Sequence, residues 1–139
     1  MNEASVLSPF MSQLRVLLPG AVIVKHRDAS MIGLPDFSIT YKGHVIWCEG
    51  KLFTPPKKKI MSDSDYVKKA QEGSPAQARM MHSMGKASWS LYIIWIKKTK
   101  IIVADPTSAV VISYSKPSQV AHLIVDLFNG WPEVPHPVL

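Results

Sequence analysis

Cysteine is nearly absent from this sequence, since Cys48 is the one cysteine in 139 residues. A single cysteine excludes an intramolecular disulfide and is typical of proteins kept in a reducing compartment. No apolar run approaches the ~20 residues that a membrane-spanning helix needs. The opening segment, MNEASVLSPF, lacks a basic stretch followed by an apolar one, so no signal peptide is expected. The sequence therefore predicts a cytoplasmic protein that does not span a membrane.

Acidic residues are also scarce, with 10 Asp and Glu against 16 Lys and Arg, which gives a net charge of +6. Such an excess of positive charge favours a polyanionic partner, either nucleic acid or an anionic membrane surface. The hydrophobic fraction of 47% is typical of a folded globular chain and argues against disorder. The whole chain, 1–139, is short enough to be predicted as a single domain.

Apolar periodicity and turn residues divide the chain into helices and strands. A first helix is predicted over Ser5–Leu18, with Ser8 as a possible cap and Pro9 in the first turn. The other predicted elements are, in order, a strand at 21–26, a hairpin of Phe37–Tyr41 and His44–Lys51, a long mobile loop at 54–73 with one helical turn near Tyr66–Gln71, a helix at Ser74–Met84 capped by Ser74 and ended by Gly85, strands at 91–96, 101–104 and 109–113, a helix at 117–128, and an extended tail at 130–139.

This order of elements predicts an α/β fold with a mixed sheet flanked by helices. The third and fourth strands are joined through a helix, so they can be parallel neighbours with a right-handed crossover. Within the single domain, the core is expected over about 5–96, with a basic loop insertion at 54–73 and a β/α extension at 97–139.

Two carboxylates and a lysine stand among the apolar residues of the predicted hairpin. Side chains alternate along a strand, so Glu49 and Lys51 project to the same side of His44–Lys51. Asp36 begins the preceding strand, and antiparallel pairing through the turn brings it close to the end of the next one. The three polar groups should therefore converge, although Asp36 and Glu49 are far apart in sequence.

Two converging carboxylates repel each other, which is tolerable if a divalent cation lies between them. Oxygen ligands of this kind suit Mg²⁺ or Mn²⁺, which need few protein ligands and keep waters for a phosphate substrate. A lysine beside such a metal can orient a water and offset charge on a phosphorane-like transition state. The chemistry that these residues indicate is metal-assisted phosphodiester hydrolysis.

These residues carry a family resemblance. Pro35-Asp36 followed by Glu49-Gly50-Lys51 resembles the motif of the PD-(D/E)xK nuclease superfamily. The G-x-P-D run that starts at Gly33 and the S-x-x-Q run of Ser74–Gln77 are similar to those of VRR-Nuc small nucleases, found in phages, bacteria and larger repair proteins. The resemblance covers about Ala21–Ile96 and implies a restriction-endonuclease-like core of the order αβββαβ. A phage-encoded chain would act inside the host cell.

The resemblance also implies a role for each site residue. Asp36 and Glu49 would bind the metal, Mg²⁺ or Mn²⁺, together with the main-chain carbonyl of Gly50. Lys51 would position the hydrolytic water, and Gln77 would steady the water or the metal shell. Family members often add an acidic residue from the first helix, and here Glu3 stands ahead of the apolar periodic part.

The function implied is a Mg²⁺-dependent, structure-specific DNA endonuclease that acts on branched DNA such as a Holliday junction. Small members of this branch often work as homodimers, and one chain has one candidate site, so a homodimer is expected. The partner is then DNA and no membrane. Two alternatives stay open: a basic DNA-binding module on the same fold that does not cut, and an exonuclease or flap-type nuclease.

Five further residues are candidates for DNA contact, each with an ordinary structural alternative. They are Lys57, Lys58, Lys59, Lys25 and His26. The three consecutive lysines could clamp the phosphate backbone or could form a solvated loop. Gln77 has an alternative too, because Ser74-x-x-Gln77 is also the pattern of a capping box.

Overall fold

The computed structural model describes residues 3–26 and 33–130, with side chains from residue 8 onward in the first range. The helices are α1 (Glu3–Leu17), α2 (Asp63–Gly73), α3 (Pro75–Ala87) and α4 (Pro117–Asn129). The strands are β1 (Val22–Lys25), β2 (Phe37–Tyr41), β3 (His44–Phe53), β4 (Trp89–Ile96), β5 (Lys100–Ala104) and β6 (Val111–Tyr114). The side chain of Glu3 and the tail 131–139, predicted to be extended, lie outside these descriptions.

The strands of the described ranges form one six-stranded sheet in the order β1-β2-β3-β4-β5-β6. The β3–β4 pair is parallel and the other pairs are antiparallel. The predicted α/β class, the mixed sheet and the parallel pairing of the third and fourth strands are therefore confirmed. No helix in residues 3–26 or 33–130 is long and apolar enough to cross a membrane.

Helices cover both faces of the sheet because side chains of its central strands alternate between two apolar clusters. On one face Leu91 and Ile93 pack with residues of α1 and α4, such as Phe10 and Ile124. On the other face Tyr92, Ile94 and Ile96 pack with Tyr66 and Ala70 of α2 and Met81 of α3. The second face is the one that carries the candidate site.

The β2–β3 hairpin turns through Lys42 and Gly43, as predicted. Both residues have positive φ values, 51° and 82°, which is the backbone of a tight turn that matches the twist of the paired strands. The register pairs Tyr41 with His44 and continues to Phe37 opposite Cys48.

The prediction of a long loop at 54–73 is wrong for its second half, where α2 forms an 11-residue helix, Asp63–Gly73. A capping box starts this helix: Ser62 Oγ accepts a hydrogen bond from Asp65 N at 3.1 Å, and Asp65 Oδ2 accepts one from Ser62 N at 3.0 Å. Tyr66 and Ala70 are buried at a spacing of four residues. A narrow apolar stripe and a strong cap thus stabilise a helix whose overall composition is polar.

Two predicted helix boundaries also differ from the structure. Helix α1 begins at Glu3, so Pro9 lies inside it rather than in a first turn capped by Ser8. Helix α3 does not end at Gly85 but continues to Ala87. Gly85 is buried within α3 because its missing Cβ makes room for the side chains of Thr107 and Ser90. This glycine is a packing residue and not a helix end.

Replacing Ser62 with alanine should lower the free energy of unfolding by about 1 kcal/mol, because the first turn of α2 loses its side-chain cap. Urea unfolding followed by circular dichroism measures the loss. Ser64→Ala is the matched control, because Ser64 is exposed within the same helix. Equal stability of the two variants would show that the capping box contributes nothing.

Candidate active site

The hairpin register brings Asp36 and Glu49 side by side. Phe37 pairs with Cys48, so the residue before β2 lies opposite the residue that follows Cys48 on β3. Asp36 N donates to Glu49 Oε1 at 3.0 Å, and Gly50 N donates to Asp36 Oδ2 at 2.9 Å. Each carboxylate is therefore held by the backbone of the other strand. The predicted convergence of these two residues is present in the structure.

Lys51 completes this group from the same face of β3. Its Nζ lies 3.2 Å from Glu49 Oε2, and the side chains of Lys51 and Glu49 are 18% and 4% exposed. The pair is well shielded from water, so its attraction is stronger than that of a surface ion pair. The ammonium is nevertheless partly open to solvent, which leaves it within reach of a substrate.

Burial is the main cause that raises the pKa of Glu49, to about 7, and the negative charge of Asp36 raises it further. Lys51 and hydrogen bonds from Gln77 and Lys51 oppose this shift. The positive charge of Lys51 therefore does not fully offset burial and the negative charge of Asp36 around the Glu49 carboxylate. The environment of this carboxylate is one that a bound cation would stabilise.

Gln77 joins the site from the first turn of α3. Its side chain is buried and donates a hydrogen bond to Glu49, so its amide NH₂ faces the carboxylate. Gln77 Oε1 is buried without a hydrogen-bond partner. Ser74 makes no side-chain cap bond at the start of this helix. The capping-box alternative for Ser74-x-x-Gln77 is therefore wrong, and the Gln77 side chain faces Glu49 instead.

Gly33 sets the distance between the Asp36 loop and α3. Its φ is +90°, and a Cβ at this position would lie 3.0 Å from the carbonyl oxygen of Ala76 and 3.2 Å from the Cα of Gln77. Only glycine allows both this backbone conformation and this close approach. The loop before Asp36 therefore packs directly on the backbone that carries Gln77.

Gly33→Ala should destabilise the protein by about 1–3 kcal/mol and reduce the activity of the site, because α3 must move away from the loop. Gly20→Ala is the matched control: Gly20 has a φ of +88°, but a Cβ there would meet nothing within 4 Å. Thermal unfolding and activity of the two variants separate backbone strain from the contact with α3. A Gly20 variant that is as impaired as the Gly33 variant would contradict this role.

The donor set of the site fits a hard divalent cation. Asp36 and Glu49 offer carboxylate oxygens, each able to accept more than one contact, and the Gly50 carbonyl is the adjacent main-chain oxygen. In the described ranges no three His, Cys, Asp or Glu side chains are grouped so as to hold a metal. A site with two carboxylates leaves coordination positions for water and phosphate, which suits Mg²⁺ or Mn²⁺ better than zinc.

His26 lies at the edge of the site and supports Asp36 through its backbone. His26 N donates to the carbonyl oxygen of Asp36 at 2.7 Å. The centroid of the His26 ring lies 5.3 Å from that of Trp47 at an interplanar angle of 32°, and Nε2 is 2.9 Å from the hydroxyl of Ser38. Burial lowers the pKa of His26, which favours the neutral ring. The ring contacts in the structure are with Ser38 and Trp47, not with the two carboxylates.

The lysines proposed for DNA contact are all exposed. Lys57, Lys58 and Lys59 stand in the connection from β3 to α2, and Lys25 ends β1. None of them is brought into the carboxylate group.

Two neighbours of the site were not predicted from sequence. Tyr92 pairs with Glu49 across the parallel β3–β4 register, and burial together with the charge of Glu49 raises the pKa of Tyr92 to about 12. Trp47 shares the site face of β3 and packs against His26. Both lie within apolar runs that carry no local signal of a site. Alternation along β3 predicts Trp47 on the face of Glu49 but gives it no role in the site, whereas the position of Tyr92 required the register.

Cys48 is a core residue, as expected from its place on the opposite face of β3. It is fully buried among the residues that pack with α1 and α4. Burial, and then the charges of Asp36 and Glu49, raise the pKa of its thiol far above the usual range. The thiol is therefore unreactive at neutral pH.

No protein-family model matches this chain, and no curated protein matches it. Among solved structures it is similar to Hjc, a Holliday junction resolvase from the archaeal hyperthermophile Archaeoglobus fulgidus. The TM-score is 0.45 and the identity 8%, over 87% of this chain and 89% of that chain. With so little identity, the function below rests on the residues of this chain.

Proposed function

We propose that this protein is a Mg²⁺- or Mn²⁺-dependent DNA endonuclease. The observation that carries the proposal is the crossed pair of hydrogen bonds that holds Asp36 and Glu49 together, with Lys51 against the outer oxygen of Glu49. A purely structural pair of carboxylates gains nothing from such proximity, because burial and repulsion destabilise it. A metal site that binds phosphate explains why both are present.

Each residue has a distinct role in this proposal. Asp36, Glu49 and the Gly50 carbonyl hold the cation, which when bound supplies Lewis-acid stabilisation of charge on the phosphate and a more acidic water. Lys51 orients the attacking water and offsets negative charge that develops in the transition state. Gln77 fixes the orientation of the Glu49 carboxylate through its amide. The shielding of Glu49 strengthens each of these electrostatic contacts.

DNA is the polyanionic partner that this chemistry selects. The net charge of +6 favours it, and the exposed Lys57, Lys58 and Lys59 follow the strand that carries the site. We further propose branched DNA as the substrate and a homodimer as the active form. One chain supplies one candidate site, and a two-fold dimer would place two sites on a symmetric four-way junction.

The test is cleavage of end-labelled four-way junction, flap, linear duplex and single-stranded DNA, each with Mg²⁺, with Mn²⁺ and with a chelator. We expect metal-dependent internal cuts and a preference for the junction. Cutting from ends or at flaps alone would replace the endonuclease with an exonuclease or flap nuclease. If the protein binds DNA without a metal and cuts none of these substrates, it is a DNA-binding module and not a nuclease.

The oligomeric state has its own measurement. Sedimentation of the protein alone and on a four-way junction should show a dimer. A monomer that nicks junction and plain duplex equally would contradict both the dimer and the branched substrate, while the metal-dependent chemistry would stand.

A further inference from the structure

The connection between β3 and α2, residues Thr54–Met61, leaves the sheet beside the candidate site. We call it the β3–α2 arm. Strand β3 continues past Lys51 to Phe53, and alternation puts Phe53 on the same face as Glu49 and Lys51. Two residues of strand separate Lys51 from Phe53 by about 7 Å. The arm therefore starts within one nucleotide's reach of the site.

Both ends of the β3–α2 arm are fixed to the protein. At its start, the Phe53 ring stacks on Tyr66 of α2 with centroids 6.1 Å apart and an interplanar angle of 23°, and Lys69 Nζ lies 4.9 Å from the Phe53 ring centroid. At its end, Met61 packs against the apolar cluster beneath α2 and α3, and Ser62 caps α2. An arm tethered in this way presents its middle at a defined place.

The middle of the arm combines three cations with one bare aliphatic side chain. Lys57, Lys58 and Lys59 are exposed, and Ile60 is 99% exposed. Among the side chains that the structure describes, the next most exposed large aliphatic residue is Val16 at 78%, which lies on α1 on the opposite face of the sheet. A partner that matches this combination has an anionic surface for the lysines and flat apolar groups that can be exposed to the isoleucine. Nucleic acid with an open base step has both.

We propose that Ile60 is a wedge that enters an unstacked base step of the substrate while the adjacent lysines hold the flanking phosphates. This inference rests on the proposed function and deepens it, because it assigns substrate choice to one side chain. Insertion into a continuous duplex requires that a fully stacked base step be opened, whereas a step at a branch point or flap lacks a continuous neighbour on one side and opens at lower cost. The β3–α2 arm thus selects branched over continuous DNA.

The first test compares kcat/KM on four-way junction with kcat/KM on a duplex of the same sequence. Ile60→Ser should lower the junction-to-duplex ratio by about tenfold and leave the duplex rate unchanged. Val16→Ser, the matched exposed aliphatic, should leave the ratio unchanged. Replacing Lys57, Lys58 and Lys59 with alanine should weaken the binding of junction and duplex alike and make the affinity less dependent on salt concentration. An unchanged ratio in the Ile60 variant would overturn the wedge.

The second test does not depend on cleavage. The fluorescent base analogue aminopurine is placed at the branch point, and proteins carrying Lys51→Ala are added so that cleavage is slowed by ~10²-fold or more during the measurement. Fluorescence should rise when the Lys51→Ala protein binds. It should rise equally when Lys51→Ala is combined with Val16→Ser, but not when it is combined with Ile60→Ser. The same rise in all three, or a rise in none, overturns the proposal. If the wild type cuts nothing and Ile60 still controls the signal, the wedge stands and the nuclease function falls.

Discussion

Lys51→Ala should lower the single-turnover rate of DNA cleavage by ~10²-fold or more, while DNA affinity changes little. The lysine ammonium lies 3.2 Å from Glu49 Oε2 and is partly open to solvent. Its loss removes the group that orients the water and offsets developing charge, and these contacts strengthen only in the transition state. A group of this kind affects the rate far more than it affects binding.

Lys68→Ala is the matched control for Lys51. Lys68 also pairs with a glutamate, since its Nζ lies 3.8 Å from Glu72 Oε1, but both side chains of that pair are more than half exposed. Rates and dissociation constants are measured on the substrate that the wild type cuts best. Equal rates for the two variants would remove Lys51 from the mechanism, and a parallel loss of binding would make it a phosphate contact instead.

Glu49→Gln should abolish cleavage and at the same time flatten the pH dependence of folding stability. The folded protein holds a proton on Glu49 up to about pH 7, whereas the unfolded chain releases it near pH 4.3. The folded state therefore binds more protons in this window, and the stability contributed by Glu49 falls as pH rises from about 4 to about 7. The loss from this residue is on the order of 3–4 kcal/mol, since the pKa changes by between two and three units and one unit corresponds to about 1.4 kcal/mol.

The glutamine variant keeps most contacts of the site without its charge. Its Oε1 can accept from Asp36 N, and its amide can donate to Gln77 Oε1, which has no partner in the wild type, once the Gln77 side-chain amide turns over. We expect the variant to be more stable than the wild type above pH 7. The lowered pKa of His26 makes stability rise with pH, which is opposite to the effect of Glu49. This contribution is common to the wild type and the glutamine variant, so the difference between their stabilities reports Glu49.

Denaturant unfolding at pH 5, 6, 7 and 8 measures this difference, with Glu72→Gln as a control at an exposed glutamate. A wild type whose stability does not fall across this range, relative to the glutamine variant, would mean that Glu49 is ionised at no cost. The two carboxylates would then be fully compensated by the protein, and the electrostatic argument for a bound cation would fail.

The geometry of the hairpin could be predicted from sequence because few interactions determine it. Lys42-Gly43 fixes the turn, the turn fixes the register, and the register brings Asp36 to Glu49. Alternation along β3 then places Lys51 on the face of Glu49. These rules concern residues that are close in sequence. The positions of the two site carboxylates and the lysine could therefore be predicted without knowledge of the tertiary packing.

Other features depended on tertiary contacts that local patterns do not encode. Helix α2 is polar in composition, and only the burial of Tyr66 and Ala70 against the sheet makes it a helix instead of a loop. Gly85 has the residue type of a helix end but is needed for contact with Thr107. The choice between the two alternatives for Gln77 required the orientation of α3, which Gly33 sets.

The most direct measurement of the central claim is a Mn²⁺ titration of the isotope-labelled protein followed by NMR. Paramagnetic broadening should appear first at the amides of Asp36, Glu49, Gly50, Lys51 and Gln77. It should be lost in Asp36→Asn, whereas Asp63→Asn, a change on α2 outside the site, should leave it intact. Broadening centred on α2 or α4, or none at these five amides in the presence of DNA, would contradict a metal site at the crossed carboxylates.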